Sequence, residues 1–336
     1  MQLVLPRLLE EDVKLLKGKR LDKDYFNTLL TGGDPVRDVL QWLDQGDVFR
    51  ANRSDHEWKA FNEVCKSGLA FIPQNEGILA GCVKLANHQG PWLAVWERFC
   101  EAPQRYPNIP QNIRKCSPPS DTIFWHSGTD SFDGWPQWND EQEKALRHEC
   151  LAFAHLPAHE ARAKIGELEK RHGRRRTLVW AELGEAPLAR ALEHLADVAE
   201  KMSTSLAAGT VHDLLTGYMQ VGWRVDDGVL RALAQVRNAA DMEAVTAVVR
   251  SIYLPWAEAS ARHLQKVVDG SSYPGGTHKT ATASKPKAGD CIVFVDGLRF
   301  DAAKRLADVL LKHGLNVTEE PLWAALPVSQ LRERLL

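Results

Sequence analysis

The chain has 336 residues, 44% hydrophobic and 26% charged, the balance of a folded globular protein and not of a disordered one. Its 42 Lys plus Arg stand against 44 Asp plus Glu, a net charge of −2, which disfavours a globally basic nucleic-acid coat or a polybasic membrane protein. No apolar run approaches the ~20 residues needed to cross a bilayer. Met1 to Lys19 alternates Leu with Arg, Glu and Lys, unlike a secretory signal, so the expectation is a cytoplasmic protein with no membrane partner.

Residues 1–140 read as a Trp-rich helical region. Asp34-Pro35 followed by Val36, Val39, Leu40 and Leu43 supplies an N-cap, a proline at the first helical position and apolar spacing of three and four. A second amphipathic run covers Trp92 to Phe99 and stops near Pro103 and Pro107. Between Cys116 and Asn139 the Pro, Ser, Gly, Asp and Trp content predicts ordered loops. The eleven tryptophans mostly sit at helical spacing with Leu and Phe, which favours core and loop-anchoring roles over a base-stacking surface. The six cysteines contain no Cys-x-x-Cys pair, so zinc-ribbon and thioredoxin chemistry are not expected.

Residues 141–269 have helical period almost throughout. Asn139 and Asp140 are expected N-caps for a helix through Leu146 and Cys150, and Pro187 opens another with the stripe Leu188, Leu192, Leu195 and Val198. Further helices are predicted over 211–221, 228–236 and 240–268, the last interrupted at Pro255. Thr177–Trp180 could be a short strand, but tandem helices explain it more simply. His155 and His159 are four apart with Pro157 between them and no His-Glu-x-x-His, which argues against a zinc protease. Gly270 to Gly275 opens like a P-loop, yet Gly276 stands where the lysine belongs. Residues 270–288 have the composition of a flexible linker.

Beyond the linker the pattern becomes strand, helix, strand. Cys291 to Val295 reads as a strand buried on both faces, with Cys291 as core filler. Asp301 to His313 reads as a helix lined by Ala303, Leu306, Ala307 and Leu310 and closed by Gly314. Leu315, Val317 and Leu322 begin a second strand, completing one βαβ unit.

Two clusters carry candidate chemistry. Asp296, Gly297, Arg299 and Asp301 lie where the strand would end and the helix begin, the edge at which parallel sheets place ligands. A carboxylate there can hold a divalent metal; equally, Asp296 or Asp301 can cap the helix with Arg299 neutralising it. The run Lys170 to Arg176 gathers Arg171, Arg174, Arg175 and Arg176 shortly before Trp180. It suits a phosphate backbone, or else a solvated helix end complementing the dipole.

The stretch from Cys291 to Pro327, IVFVDGLRFDAAKRLADVLLKHGLNVTEEPLWAALP after its leading cysteine, resembles the start of the PglZ domain of bacterial BREX and phage-growth-limitation defence systems. Trp96-Glu97-Arg98-Phe99 and Trp135-Pro136-x-x-Asn139 resemble upstream parts of longer PglZ proteins. The resemblance implies an alkaline-phosphatase-like domain in which Asp296 is a metal ligand, with Arg299 and Asp301 in the same signature. It also implies a divalent metal cofactor (zinc, magnesium or manganese), partners among the BREX components, and metal-dependent phosphoester hydrolysis as the family's activity.

The sequence then departs from the family. After Ala325-Leu326-Pro327, where members carry a Ser/Thr-rich segment ending in lysine that bears the candidate nucleophile, this chain reads Val328 to Leu336 with no threonine. The remaining metal ligands are missing too, so the chain alone is expected to bind no metal tightly and to be inactive. The fold expectation is thus a mainly α module followed by the first βα(β) unit of an incomplete α/β alkaline-phosphatase-like domain, truncated within residues 289–336. The competing expectation is a non-catalytic helical module that binds BREX partners or DNA. A back-translated Val-Ser-Ala-Thr-Gly-Lys-Ala-Ala, read one base later, spells Ser329 to Leu336. Genomic DNA past Leu336 should therefore continue a PglZ sequence in another frame; finding none there would refute the frameshift.

Overall fold

Capping side chains and prolines set where the helices begin. The computed structural model describes residues 4–118, 132–270, 289, 291, 293, 295 and 298–319. Among them the chain forms α1 Leu5–Glu10, α2 Val13–Leu16, α3 Lys23–Leu30, α4 Pro35–Gln45, α5 Asp47–Ala51 and α6 Asp55–Leu69. There follow α7 Pro73–Asn87, α8 Trp92–Glu101, α9 Asn108–Arg114, α10 Pro136–Leu151, α11 Ala158–His172 and α12 Val179–Glu182. The last are α13 Pro187–Lys201, α14 Val211–Gly217, α15 Trp223–Gln235, α16 Ala239–Asp269 and α17 Phe300–Lys312. Asp34 caps α4 as expected, accepting from the Arg37 amide at 3.1 Å with Pro35 behind it. Ser54 and Glu57 close a reciprocal capping box on α6, and Thr210 and Asp213 another on α14.

The contacts divide the chain into two compact units, Met1–Leu146 with Arg171–Ala189, and Arg147–Lys170 with Arg190–Leu336. The first unit has an aromatic core. Trp42, Phe49, Phe61, Phe71, Trp92, Phe99, Trp135 and Trp180 are buried in one cluster with Leu40, Leu43, Leu85 and Ile109. Three of those indoles satisfy their N–H inside it: Trp92 donates to the Leu69 carbonyl at 3.2 Å, Trp135 to Asn87 at 3.1 Å, and Trp180 to the Asp133 carbonyl at 2.7 Å. Burying a large ring is favourable only when that donor is paired. In the second unit the buried apolar positions are mostly aliphatic, among them Leu192, Leu195, Val198, Val225, Val245, Val248 and Ile252, with the ring of Phe153 buried as well. There α15 comes close to α13 at Gly228, where a Cβ would meet Val198 at 2.5 Å.

The βα(β) expectation is overturned. Among the described residues there is no strand: Cys291, Val293 and Val295 carry none, nor do Leu315 and Val317. A lone strand leaves its amides and carbonyls unpaired, and no partner strand is present among the described residues to complete a ladder. Val293 is 75% exposed, and Cys291 is exposed instead of filling a core. The helix expected to cover a sheet, α17, packs on α15 instead. Its end does match the reading, with Gly314 at φ 79° after the last turn. Asp296, the linker residues 271–288 and Leu322 lie outside the described residues.

Other departures are local. Helix α10 starts at Pro136, three residues before the expected caps, because proline suits a first turn; Asn139 is thereby drawn into the interior. Thr177–Trp180, by contrast, is helical in agreement with the simpler expectation, the end of a 3₁₀ turn running into α12. The break expected after Val221 is a π-turn, Tyr218–Gly222, that joins α14 to α15. Pro255 does not interrupt α16, which runs through it for 31 residues.

Gly134 has the least room of the described glycines in the first unit: a Cβ there would stand 2.1 Å from the Ala86 carbonyl oxygen. Gly134→Ala should therefore destabilise this unit by about 1–3 kcal/mol or more. Chemical denaturation followed by tryptophan fluorescence measures it; an unchanged midpoint would disprove this packing.

Candidate functional site

The four arginines of the basic run take different positions. Residues 173–177 form the 3₁₀ turn after α11, a tight spiral that throws successive side chains in different directions. Arg175 points inward and is buried. Its guanidinium donates to Glu143 at 2.7 Å and to the Asn139 side-chain oxygen at 2.8 Å. Arg174 is half exposed and pairs with Asp133 at 3.2 Å. Arg176 donates to the Ala189 carbonyl at 3.2 Å, and Arg171 is exposed. A phosphate could therefore meet Arg171, Arg174 and Arg176, but not Arg175.

Glu143, which no local sequence signal marks, organises the interior beside this turn. Its carboxylate accepts from Arg175 and from the backbone amides of Leu188 at 2.8 Å and Ala189 at 3.2 Å. The carboxylate thus caps the N-terminus of α13, where exposed amides and the helix dipole both favour a negative charge. Burial pushes the Glu143 carboxyl up, against the Arg175 charge and the two amides that draw it down. Asn139 completes the group, donating to the Glu185 carbonyl at 2.7 Å. The quoted motif Trp135-Pro136-x-x-Asn139 therefore contributes one indole and one amide to the interior hydrogen-bond network.

His172 lies in the same place, buried, with its Nδ1 facing an Arg175 N–H at 3.4 Å. Arginine only donates, so this nitrogen accepts and the ring is neutral. Burial, then the charges of Arg175 and Arg171, hold its pKa down at about 4.

The second cluster holds the signature residues. Arg299 donates its Nε to Asp301 at 3.0 Å, and its other arm approaches Asp226 of α15 at 3.5 Å. Asp301 is buried in the first turn of α17, and one of its carboxylate oxygens has no hydrogen-bond partner. Arg299 thus pairs with Asp301, and α17 starts behind Arg299 with no side-chain cap. Asp226 also accepts the hydroxyls of Tyr218 at 2.7 Å and Tyr253 at 2.8 Å. Burial, reinforced by these bonds to Asp226, holds both phenols well above their usual range. The Phe300 ring lies 6.0 Å from that of Tyr218. The π-turn brings Tyr218 here, a common use of such turns at specialised positions.

The residues described at this cluster do not fit a divalent metal. The guanidinium of Arg299 occupies the near side of Asp301, where a cation would be repelled. Among the described residues no three His, Cys, Asp or Glu side chains converge. No chemistry is therefore derived through a metal here. No protein-family model, curated protein or solved structure matches the chain. Among the described residues no helix is long and apolar enough to cross a membrane.

The sequence reading missed Glu143, Asp226, Tyr218 and Tyr253. Glu143 and Arg175 are 32 residues apart and Tyr253 and Asp226 27, distances that no spacing rule covers; Tyr218 is only eight from Asp226 but reaches it across the π-turn.

Two neighbours in the basic run should behave oppositely. Arg175→Ala leaves a buried carboxylate unpaired and should cost about 3–5 kcal/mol, whereas Arg174→Ala removes a half-exposed pair and should cost under about 1 kcal/mol. Equal costs in urea unfolding would contradict the placement. His172 is neutral when folded and takes up a proton when unfolded, so its contribution is lost as pH falls from about 6.5 towards about 4. The loss should reach about 3 kcal/mol. His172→Gln, which keeps an acceptor for Arg175, should flatten stability over that window; an unchanged acid slope would refute the assignment.

Proposed function

We propose that this chain is a non-catalytic helical interaction module of a PglZ-type bacterial defence complex, working in the cytoplasm. The observation that carries this reading is the use made of Arg299 and Asp301. Of the two residues of the family-like signature, Arg299 pairs with Asp301 and with Asp226, so it ties α17 to α15 instead of facing a reacting group. The resemblance over Cys291 to Pro327 supports the family assignment.

A second feature agrees with a role in assembly. Leu306, Val309 and Leu311 on α17 are 46–55% exposed, and Leu298 and Leu315, which flank the helix in sequence, are exposed as well. Large apolar side chains left in water on one helix gain by burial against a partner. The partner proposed for this face is another protein of the same complex.

Co-expression with the proteins of a BREX-type system tests the proposal. The chain should co-purify with at least one of them, and Leu306→Asp with Val309→Asp should abolish the capture while leaving the helical circular dichroism unchanged. The chain should hydrolyse neither phosphodiesters nor phosphomonoesters above background with magnesium, manganese or zinc. Metal-dependent hydrolysis that disappears in Asp296→Ala would overturn the reading, as would co-purification indifferent to both aspartates.

A further inference from the structure

Helix α17 is docked by its charged residues while much of its apolar surface faces water. The contacts that hold it to α15 are Arg299 with Asp226 at 3.5 Å, Arg305 with Asp227 at 3.5 Å, and the Lys304 ammonium 5.7 Å above the Trp223 ring. On the apolar part of the docked side Ala307 is buried, Phe300 lies beside Tyr218, and Ala303 and Leu310 are half-buried. The cations are half exposed, Arg299 at 55% and Arg305 at 49%, whereas Asp226 and Asp227 are mostly covered. An interface of this kind is weakened by salt, because half-exposed pairs are screened; burial of apolar surface is not.

The apolar residues of α17 also encircle more of the helix than one contact can cover. Ala303 and Ala307 lie towards the docked side, while Leu306, Val309 and Leu311 are exposed. A helix apolar on both sides gains by burial on both. Asp301 adds a conditional element. It is fully buried with one oxygen unpartnered, and Arg299 is its counter-charge. Drawing Arg299 away leaves an uncompensated carboxylate in the interior, which favours departure of the whole first turn.

We propose that α17 is a releasable helix, latched onto α15 by Arg299 and Arg305 through Asp226 and Asp227, and freed as a unit when those ion pairs are broken. The two states differ in what the helix touches and not in whether the rest of the second unit is folded, since the buried residues Val225, Val229, Val245 and Val248 belong to α15 and α16. Release exposes the docked side beside the side already exposed, and so offers a partner both faces of one helix. The device is independent of the partner proposed above, being read from contacts within the second unit alone.

Amide hydrogen exchange on the full chain tests it. In the double variant Arg299→Gln with Arg305→Gln, the amides of residues 300–312 should exchange about tenfold faster, with α15 and the first half of α16 unchanged. Raising NaCl from 0.05 M to about 0.5 M should speed exchange of α17 in the native chain and have little further effect in the variant. Unchanged protection of α17 in the variant would overturn the latch. So would loss of protection in α15 together with α17, which would make the helix an integral part of the unit, or a native α17 that exchanges as an unprotected peptide. Slower exchange of α17 at high salt would mean that apolar burial holds it, and would equally refute the proposal.

Discussion

A buried carboxylate with three donors, one guanidinium and two amides, organises the interior of the first unit. Glu143 faces a guanidinium and two amides at the start of α13, and the same guanidinium holds Asn139. Removing two charges from water costs several kcal/mol per ion, and an ion pair alone often fails to recover it. Here the two amides add to the Arg175 pair at Glu143, and Asn139 takes a further bond from the guanidinium, although the Arg175 Nε stays buried without a partner. Helices α10, α13 and the turn after α11 thus converge on one acid.

The ion pairs around α17 illustrate the contrary regime. Glu143 and Arg175 are sealed from solvent, while Arg299 and Arg305 keep about half their side-chain surface in water. The same chemistry therefore gives rigidity in one unit and lability in the other. Exposure of the cation decides between them, because water competes for a half-exposed guanidinium and not for a sealed one. Tyr218 and Tyr253 add a fixed element on the α15 side of the contact: their hydroxyls keep the Asp226 carboxylate in place whether or not Arg299 is present.

What the sequence revealed depended on range. The start of α4 was legible because Asp34, Pro35 and the apolar spacing act within a few residues. The end of α17 at Gly314 was legible for the same reason. The apparent strand at Cys291 to Val295 misled because β-branched composition says that a segment can pair, not that a partner strand exists. The basic run misled in part: charge alone could not separate Arg174 from Arg175, since the 3₁₀ turn that parts them is set by packing of α12 and α13. The polar groups that matter most, Glu143 and Asp226, were hidden because their partners come from distant helices.

Pro255 sits where α16 changes character. Every buried residue of this helix, from Asp241 to Ile252, precedes the proline, and none follows it. Proline has no amide to give the carbonyl four residues back, so the hydrogen-bond ladder is missing a rung at that point. The half beyond it is steadied instead by side contacts with a loop, Trp256 donating to the Thr204 carbonyl at 3.3 Å and His263 against the Gly209 carbonyl at 3.0 Å. Cooperativity along a helix passes through consecutive rungs, so Pro255 divides one rod into two melting segments. The outer segment can unwind from Asp269 inward and stop at the proline, leaving the aliphatic interior of the second unit undisturbed.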